Sequence, residues 1–353
     1  MATSLLREHP VAASRRVLIV DDSIVARAVL RRILEAGGQC DVAEAGDARA
    51  ALDFLARERA DVILLDIEMP GQSGLAALPD ILRAGRGARV LIVSSTSAPG
   101  AEASIRALAL GAADTLVKPS TGGLAGHFAQ TLEERVARLT DDTAPARVPV
   151  ETAPAIGLRR EPPRIVAIGA STGGIHALGR MLGELEPDCD APILITQHLP
   201  ASFMPYFAAQ VSTMARRPCL VAEDRMRVRR GHAYVAPGDA HLVCAPMTDG
   251  HVLRLDRARS ISGCTPSVDP MFESVARVFG ADAFAVVLSG MGRDGAIGAE
   301  RIVEAGGALI AQDQESSVVW GMPGAVVAAG LARAALPPDA IGRALNQRFG
   351  GRR

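Results

Sequence analysis

Aromatic side chains are scarce: one Trp, two Tyr and eight Phe in 353 residues. A chain that binds single-stranded nucleic acid stacks bases on aromatic platforms, and so few rings argue against that class. Charge of one sign is also missing. Lys and Arg total 38, Asp and Glu 39, for a formal net charge of -1. Bulk electrostatic attraction to nucleic acid or anionic lipid is therefore not expected. A DNA-binding second half would need a basic recognition helix, and none is found. Five cysteines at 40, 189, 219, 244 and 264 form no C-x-x-C pair. Inert thiols in a reducing compartment fit better than disulfides or zinc ligands. The longest uncharged stretch, Ser316 to Ala332, is broken by Trp320-Gly-Met-Pro-Gly324 and is too polar at its start to span a bilayer. The N-terminus lacks the apolar core of a secretory signal. A cytoplasmic protein is the expectation.

What is present is a strong alternation of short apolar runs with helix-period segments. Val17–Val20, Val62–Leu65 and Val90–Val93 are β-branched and nearly continuous, as buried parallel strands are. Helical patterns follow near residues 25–35, 48–57, 74–83 and 101–110. Leu116-Val117 marks a further strand, and a last helical pattern runs from about 123 to 139. Between Thr140 and Pro163 the chain carries five prolines, with many Ala and Thr, and reads as a semi-extended linker. The second half restarts with Arg164–Gly169. Helical patterns at 175–185, 203–214 and 295–305 alternate with strands at 193–196, 284–288 and 308–310. Residues 219–256 alternate more finely, and Asp249-Gly250 signals a hairpin turn. The expected fold is α/β: a parallel five-stranded domain over 16–138, a linker over 139–163, and a doubly wound α/β domain over 164–348 with an antiparallel hairpin insertion.

Chemistry gathers at the carboxyl ends of the expected strands, where open α/β sheets place their sites. Asp21 and Asp22 follow the first strand, Asp66 the third apolar element, Ser94 the next, and Lys118-Pro119 the last. Three carboxylates in one crevice repel unless a cation lies among them, and a hard divalent ion such as Mg²⁺ suits oxygen ligands. Asp66 could then serve as a carboxylate nucleophile toward a phosphoryl group, with Lys118 and Ser94 holding its oxygens. A single Asp after a strand is an ordinary helix cap; five such groups in this order are not.

At these residues the chain resembles the response-regulator receiver domain, over residues 16 to about 138. The resemblance implies a flavodoxin-like fold, Asp66 as phosphorylation site, Asp21, Asp22 and Asp66 as Mg²⁺ ligands, Ser94 as switch hydroxyl and Lys118 as phosphate-sensing lysine. Thr115 stands where receivers usually carry an aromatic residue, so the usual aromatic rotamer switch does not carry over.

In the second half, Gly169-Ala-Ser-Thr-Gly-Gly174 makes a tight strand-to-helix turn that exposes Ser171. Such a turn alone more often binds a phosphate or simply packs. His198 and Asp294 each follow another strand, and a hydroxyl needs a base, with a carboxylate to orient it, to become a nucleophile. His176, one turn into the helix after Ser171, competes with His198 on nearness alone. His232 and His241 flank Tyr234 and Ala236-Pro-Gly238 within the insertion and fit no metal spacing, so a rim or structural role is expected.

Six motifs in sequence carry a second resemblance: Gly-Ala-Ser-Thr-Gly-Gly, Thr196-Gln-His-Leu-Pro200, His232-Ala-Tyr-Val-Ala-Pro-Gly-Asp-Ala-His241, Pro266-Ser-Val-Asp269, Ser289-Gly-Met-Gly-Arg-Asp-Gly295 and Trp320-Gly-Met-Pro323. Together they resemble the chemotaxis protein-glutamate methylesterase (CheB) family. The resemblance implies a Ser171–His198–Asp294 triad, backbone oxyanion donors at Thr172 and Met291, and no cofactor in the esterase site. It implies methyl-accepting chemotaxis receptors as substrate, with hydrolysis of glutamyl methyl esters and deamidation of glutamines, and a chemotaxis histidine kinase as phosphodonor. It also implies that the unphosphorylated receiver blocks the esterase. A phosphorylation-gated adaptor without turnover is the alternative.

Overall fold

The computed structural model describes residues 14–94, 98–118, 125–140 and 162–349. By compactness the chain forms two units, Met1–Val93 with Lys118–Thr140, and Ser94–Val117 with Asp141–Arg353. The expected linker, apart from its first and last residues, lies outside the described residues.

The N-terminal elements alternate strand and helix: β1 (Arg15–Val20), α1 (Ile24–Ala36), β2 (Cys40–Ala45), α2 (Ala48–Leu55), β3 (Val62–Asp66), α3 (Gly74–Ala84), β4 (Arg89–Ser94), α4 (Ala98–Leu110), β5 (Asp114–Val117) and α5 (Ala125–Leu139). The sheet runs β2-β1-β3-β4-β5. β1 pairs in parallel with β2 and β3, and β3 with β4. β3 is buried throughout, whereas edge strand β2 buries only Ala45 outright. Its sequence, Cys-Asp-Val-Ala-Glu-Ala, is too polar for an apolar-run criterion, so the sequence reading omits it. Ser23, Asp47 and Ser73 cap α1, α2 and α3, each side chain accepting a backbone N–H of the first turn.

The C-terminal elements are β6 (Ile165–Ala170), α6 (Gly174–Gly183), β7 (Ile193–Gln197), α7 (Met204–Ala215), β8 (Cys219–Val221), β9 (Ala233–Val235), β10 (His241–Met247), β11 (Gly250–Asp256), α8 (Val268–Phe279), β12 (Ala283–Val287), α9 (Ala296–Glu304), β13 (Ala308–Gln312), α10 (Gly321–Ala328), β14 (Ala334–Leu336) and α11 (Pro338–Gln347). Seven strands form one sheet in the order β14-β13-β12-β6-β7-β9-β8. The chain leaves β6 for β7 on one side and later returns to β12 on the other, a topological switch point that opens a crevice at the strand carboxyl ends. β10 and β11 form a separate antiparallel pair. Met247 faces Gly250, so Thr248 and Asp249 make the two-residue turn and Gly250, at φ 141°, closes it. The Asp-Gly pair thus straddles the turn's exit.

Helix α8 is absent from the sequence reading although it packs one face of the second core. Met271, Phe272, Val275, Ala276 and Phe279 recur at helical spacing and bury against β10, β11 and β12 residues such as Leu242, Leu253 and Ala285. Among the described residues, no helix is long and apolar enough to cross a membrane.

Candidate active site

Ser171 lies on the turn between β6 and α6, and its backbone is held from three sides. Its N–H donates to Ser289 O at 3.0 Å, and its carbonyl accepts from Gly174 N at 2.8 Å and Gln197 Nε2 at 2.9 Å. Glycine is needed here. Gly173 has φ 78°, and a Cβ on it would lie 2.5 Å from Val318 Cβ and 2.8 Å from Ser289 Oγ. A Cβ on Gly290 would lie 2.9 Å from Ser171 Cβ, so the 289–292 turn approaches the serine as closely as backbone allows.

His198 is the next residue after β7. Ala170 pairs with Gln197, and His198 N donates to Ala170 O at 3.1 Å, which sets Ser171 and His198 one step beyond the ends of adjacent strands. Asp294 enters from the other flank, on the loop after β12, whose Val287 pairs with Gly169. His198 Nε2 meets Asp294 Oδ2 at 2.7 Å. With Nε2–H donated to the carboxylate, the other ring nitrogen, Nδ1, is the acceptor of a neutral imidazole.

Asp294 is 2% exposed yet well solvated by protein. Ser267 Oγ donates to Oδ1 at 2.6 Å and Val268 N to Oδ2 at 2.8 Å. Burial pushes its carboxyl up, but the hydrogen bond and electrostatic pull of His198, with these bonds, outweigh burial and bring it down to about 2. Asp269, in the first turn of α8, shows the reverse. Burial first, and then the nearby Asp294 charge, push it up to about 6 despite a hydrogen bond from Gly298 N at 2.8 Å.

His241 has a structural task. It is buried, accepts from Ser267 N at Nδ1 (2.9 Å) and donates from Nε2 to Ala258 O at 2.8 Å. It thereby anchors the residue that anchors Asp294. His232 is partly exposed; its Nδ1 meets the Arg230 carbonyl at 3.0 Å and its ring stacks on Tyr234, centroids 6.3 Å apart. His176 sits in the first turn of α6, and its Nδ1 meets Ala109 O at 3.1 Å.

Thr172 is buried, and its carbonyl accepts from Ser289 Oγ at 2.7 Å. Met291 sits on the 289–292 turn, which is fastened by Gly290 N to Val319 O and Met322 N to Gly290 O at 3.0 and 2.8 Å. A cleft of about 330 Å³, lined by His198, Leu199, Pro200, Cys264, Thr265 and Pro266, leads to the imidazole. Sequence reasoning missed Ser267, Gln197, Ser289 and Cys264 as individuals. Three of the four lie inside motifs already singled out, but a hydrogen bond to another segment leaves no mark in spacing.

The N-terminal carboxylates also converge. Ligand oxygens of Asp21, Asp22 and Asp66 lie within 4.8 Å of one another. Asp21 and Asp66 are buried, Asp22 exposed. Lys118 Nζ bridges Asp21 Oδ2 at 3.0 Å and Asp66 Oδ2 at 2.8 Å. Burial raises the Asp66 carboxyl, as does the charge of Asp21, against the pull of Lys118. Burial lowers the Lys118 ammonium, but its two carboxylate partners outweigh that and raise it. Asp66 pairs with Val93, so Ser94 stands one step past it on the neighbouring strand. Its hydroxyl is buried with no hydrogen-bond partner among the described residues. Thr115 is buried in β5.

These two sites define a class: a receiver-type acid pocket joined to a serine-hydrolase-like site on an open parallel sheet. Comparison with known proteins narrows it. The family model for CheB methylesterase matches residues 166–345, and that for the response regulator receiver domain matches 17–124. A protein-glutamate methylesterase/protein-glutamine glutaminase of Paramagnetospirillum magneticum is 41% identical over 93% of this chain and 94% of its own length. Another, from Caulobacter vibrioides, is 44% identical over 93% of this chain and 96% of its own. The crystal structure of the Thermotoga maritima CheB methylesterase catalytic domain superposes with a TM-score of 0.51 at 36% identity, covering 52% of this chain and 97% of that one. The chain belongs to the CheB methylesterase family, in its form with an N-terminal receiver domain.

Proposed function

We propose that Ser171, His198 and Asp294 carry out the protein-glutamate methylesterase and protein-glutamine glutaminase reactions of this family on chemoreceptors. Ser171 Oγ attacks the side-chain carbonyl while His198 Nδ1 takes its proton. Asp294 holds the opposite nitrogen and stabilises the imidazolium. The proton then passes to the leaving group, so methanol or ammonia departs and an acyl-enzyme remains. Water, deprotonated by His198, restores Ser171 and releases glutamate. The backbone N–H groups of Thr172 and Met291 are the proposed oxyanion donors; losing one such donor typically costs about 3–4 kcal/mol of barrier.

The observation that carries this reading is the 2.7 Å bond from His198 Nε2 to a threefold-bonded Asp294, one strand step from Ser171. The adaptor alternative would not require that pair, and the relatives are named as enzymes. The test is methanol release from methylated receptor by the full chain. Ser171→Ala should lower it by about 10⁴-fold or more while leaving the fold intact. Turnover near the wild-type rate would remove Ser171 from the mechanism.

Asp66 is the proposed phosphoryl acceptor, supplied by a chemotaxis histidine kinase. The residues fit a divalent cation: three carboxylates share one pocket, two of them buried, with the unpaired Ser94 hydroxyl on the neighbouring strand. Mg²⁺ held by Asp21, Asp22 and Asp66 would neutralise the acids and the phosphoryl oxygens. Lys118 would hold one of those oxygens, giving up its present contacts with Asp21 and Asp66. We further propose that the receiver restrains the esterase until Asp66 is phosphorylated, through a route other than the aromatic switch, since Thr115 has no ring to rotate. A cytoplasmic location accords with this partner set.

A further inference from the structure

Cys264 is the one thiol in the cleft lining. It sits on the loop that precedes α8, fixed by Ser260 Oγ to Cys264 O at 2.8 Å and by Cys264 N to Ser262 Oγ at 3.3 Å. Its Sγ, a ring nitrogen of His198 and a carboxylate oxygen of Asp294 all lie within 4.8 Å of one another. Three donors of three kinds thus lie close together, two of them on residues that line an open cleft. We propose that Cys264, His198 and Asp294 form an inhibitory site for a thiophilic divalent cation, zinc first among them.

The donor set selects the metal. Thiolate and imidazole favour Zn²⁺ over Mg²⁺ or Ca²⁺, whereas the Asp21–Asp22–Asp66 pocket offers oxygen alone and favours the hard ions. The distances are within reach. Tetrahedral zinc, with ligands at about 2.0–2.3 Å, holds them roughly 3.3–3.8 Å apart. The His198–Asp294 pair, now 2.7 Å apart, must open by about 0.6 Å, and the sulfur must close by up to about 1.3 Å. The His198 side chain is 18% exposed, and Cys264 is on a partly exposed loop, so both can shift. Asp294 keeps its bonds to Ser267 and Val268 and anchors the site. The cleft leaves the fourth position open to water.

The proton balance explains inhibition. The Cys264 thiol releases its proton to solvent. The Nε2 proton of His198 is replaced by the metal and reappears on Nδ1 by exchange with solvent. His198 then carries a proton on the nitrogen that should accept one from Ser171. Binding rests on the cluster alone; inhibition rests on the catalytic reading of His198.

Cobalt(II) is the probe, because a thiolate-to-cobalt charge-transfer band in the near ultraviolet reports sulfur ligation and ignores an all-oxygen pocket. The full chain is titrated with Co²⁺, then Zn²⁺, while methanol release is followed. The expected result is a band that zinc displaces, inhibition that tracks occupancy, and recovery with a chelator. Cys264→Ser should lose the band and weaken zinc inhibition at least about tenfold, each activity being referred to the same variant without metal. Cys264→His, with a nitrogen donor in place of sulfur, should lose the band and keep zinc inhibition. Cys219→Ser should behave as wild type. No charge-transfer band in wild type, or an undiminished one in Cys264→Ser, overturns the site. A band with unchanged methanol release overturns inhibition and counts against His198 as the base.

Discussion

Each half of the chain places a buried aspartate at the carboxyl end of a parallel strand, and the two are treated in opposite ways. Asp294 accepts three bonds of 2.6–2.8 Å and is held down to about 2. Asp66 has Lys118 at 2.8 Å and a long 3.3 Å contact from Glu68 N, and burial raises its carboxyl. A carboxylate that orients a histidine must have its lone pairs occupied, so that it neither moves nor takes the proton. A carboxylate that attacks phosphorus needs an oxygen free to do so, with one mobile cation to pass to the phosphoryl group. On the proposed roles, the same residue on similar strand ends serves as scaffold or nucleophile according to how many donors surround it.

The comparison can be broken from either side. The largest effect is expected at the saturated site. Asp294→Asn removes the charge and lets the amide favour the wrong tautomer of His198; methanol release should fall about 10⁴-fold. A loss under tenfold would mean that Asp294 does not orient the base. At the unsaturated site, Asp66→Asn should abolish stimulation by a small phosphodonor with Mg²⁺ and leave the unstimulated rate unchanged. Stimulation of undiminished size would place the acceptor elsewhere. Residues 164–353 alone should exceed the unphosphorylated full chain in specific activity, and equal activities would refute restraint by the receiver.

Smaller effects sharpen the account. Ser267→Ala leaves Asp294 one bond short. A hydrogen bond to a charged group is worth about 1.5–3 kcal/mol, so kcat should drop roughly 10- to 100-fold with little change in KM. An equal loss in KM would assign Ser267 to substrate binding instead. Asp269 gives a pH signature. Its folded carboxyl, at about 6, stays protonated where the unfolded chain has already ionised, near 4. The folded state therefore binds more protons between those values, and stability falls as pH rises from about 4 to 6, by about 2–3 kcal/mol. Asp294 acts oppositely and lower: its stabilisation is complete above about pH 4 and is lost as pH falls through about 2. Asp269→Asn should flatten the Tm profile between pH 4 and 6 alone; an unchanged slope would assign it to another group.

Strand ends and glycine turns made much of both sites legible, because apolar runs mark where strands stop and chemistry begins. Asp66, Lys118, Ser171, His198 and Asp294 each stand just past such a run. What escaped was whatever depends on another segment. Ser267 reaches Asp294 across 27 residues of chain, and His241 reaches Ser267 across 26. Strand β2 escaped because an edge strand need not be apolar, and α8 because its start adjoins a loop of Ser, Gly, Cys, Thr and Pro. Cys264 was read as inert for want of a paired cysteine, whereas its neighbours in space are a histidine and an aspartate.

The central claim is that Ser171 is a nucleophile made reactive by His198. A serine-directed fluorophosphonate, applied to the full chain and mapped by mass spectrometry, tests it most directly. The account predicts one adduct, on Ser171, that blocks methanol release and forms far more slowly in His198→Gln. Full methanol release from protein quantitatively modified at Ser171, or labelling at an undiminished rate in His198→Gln, would contradict it.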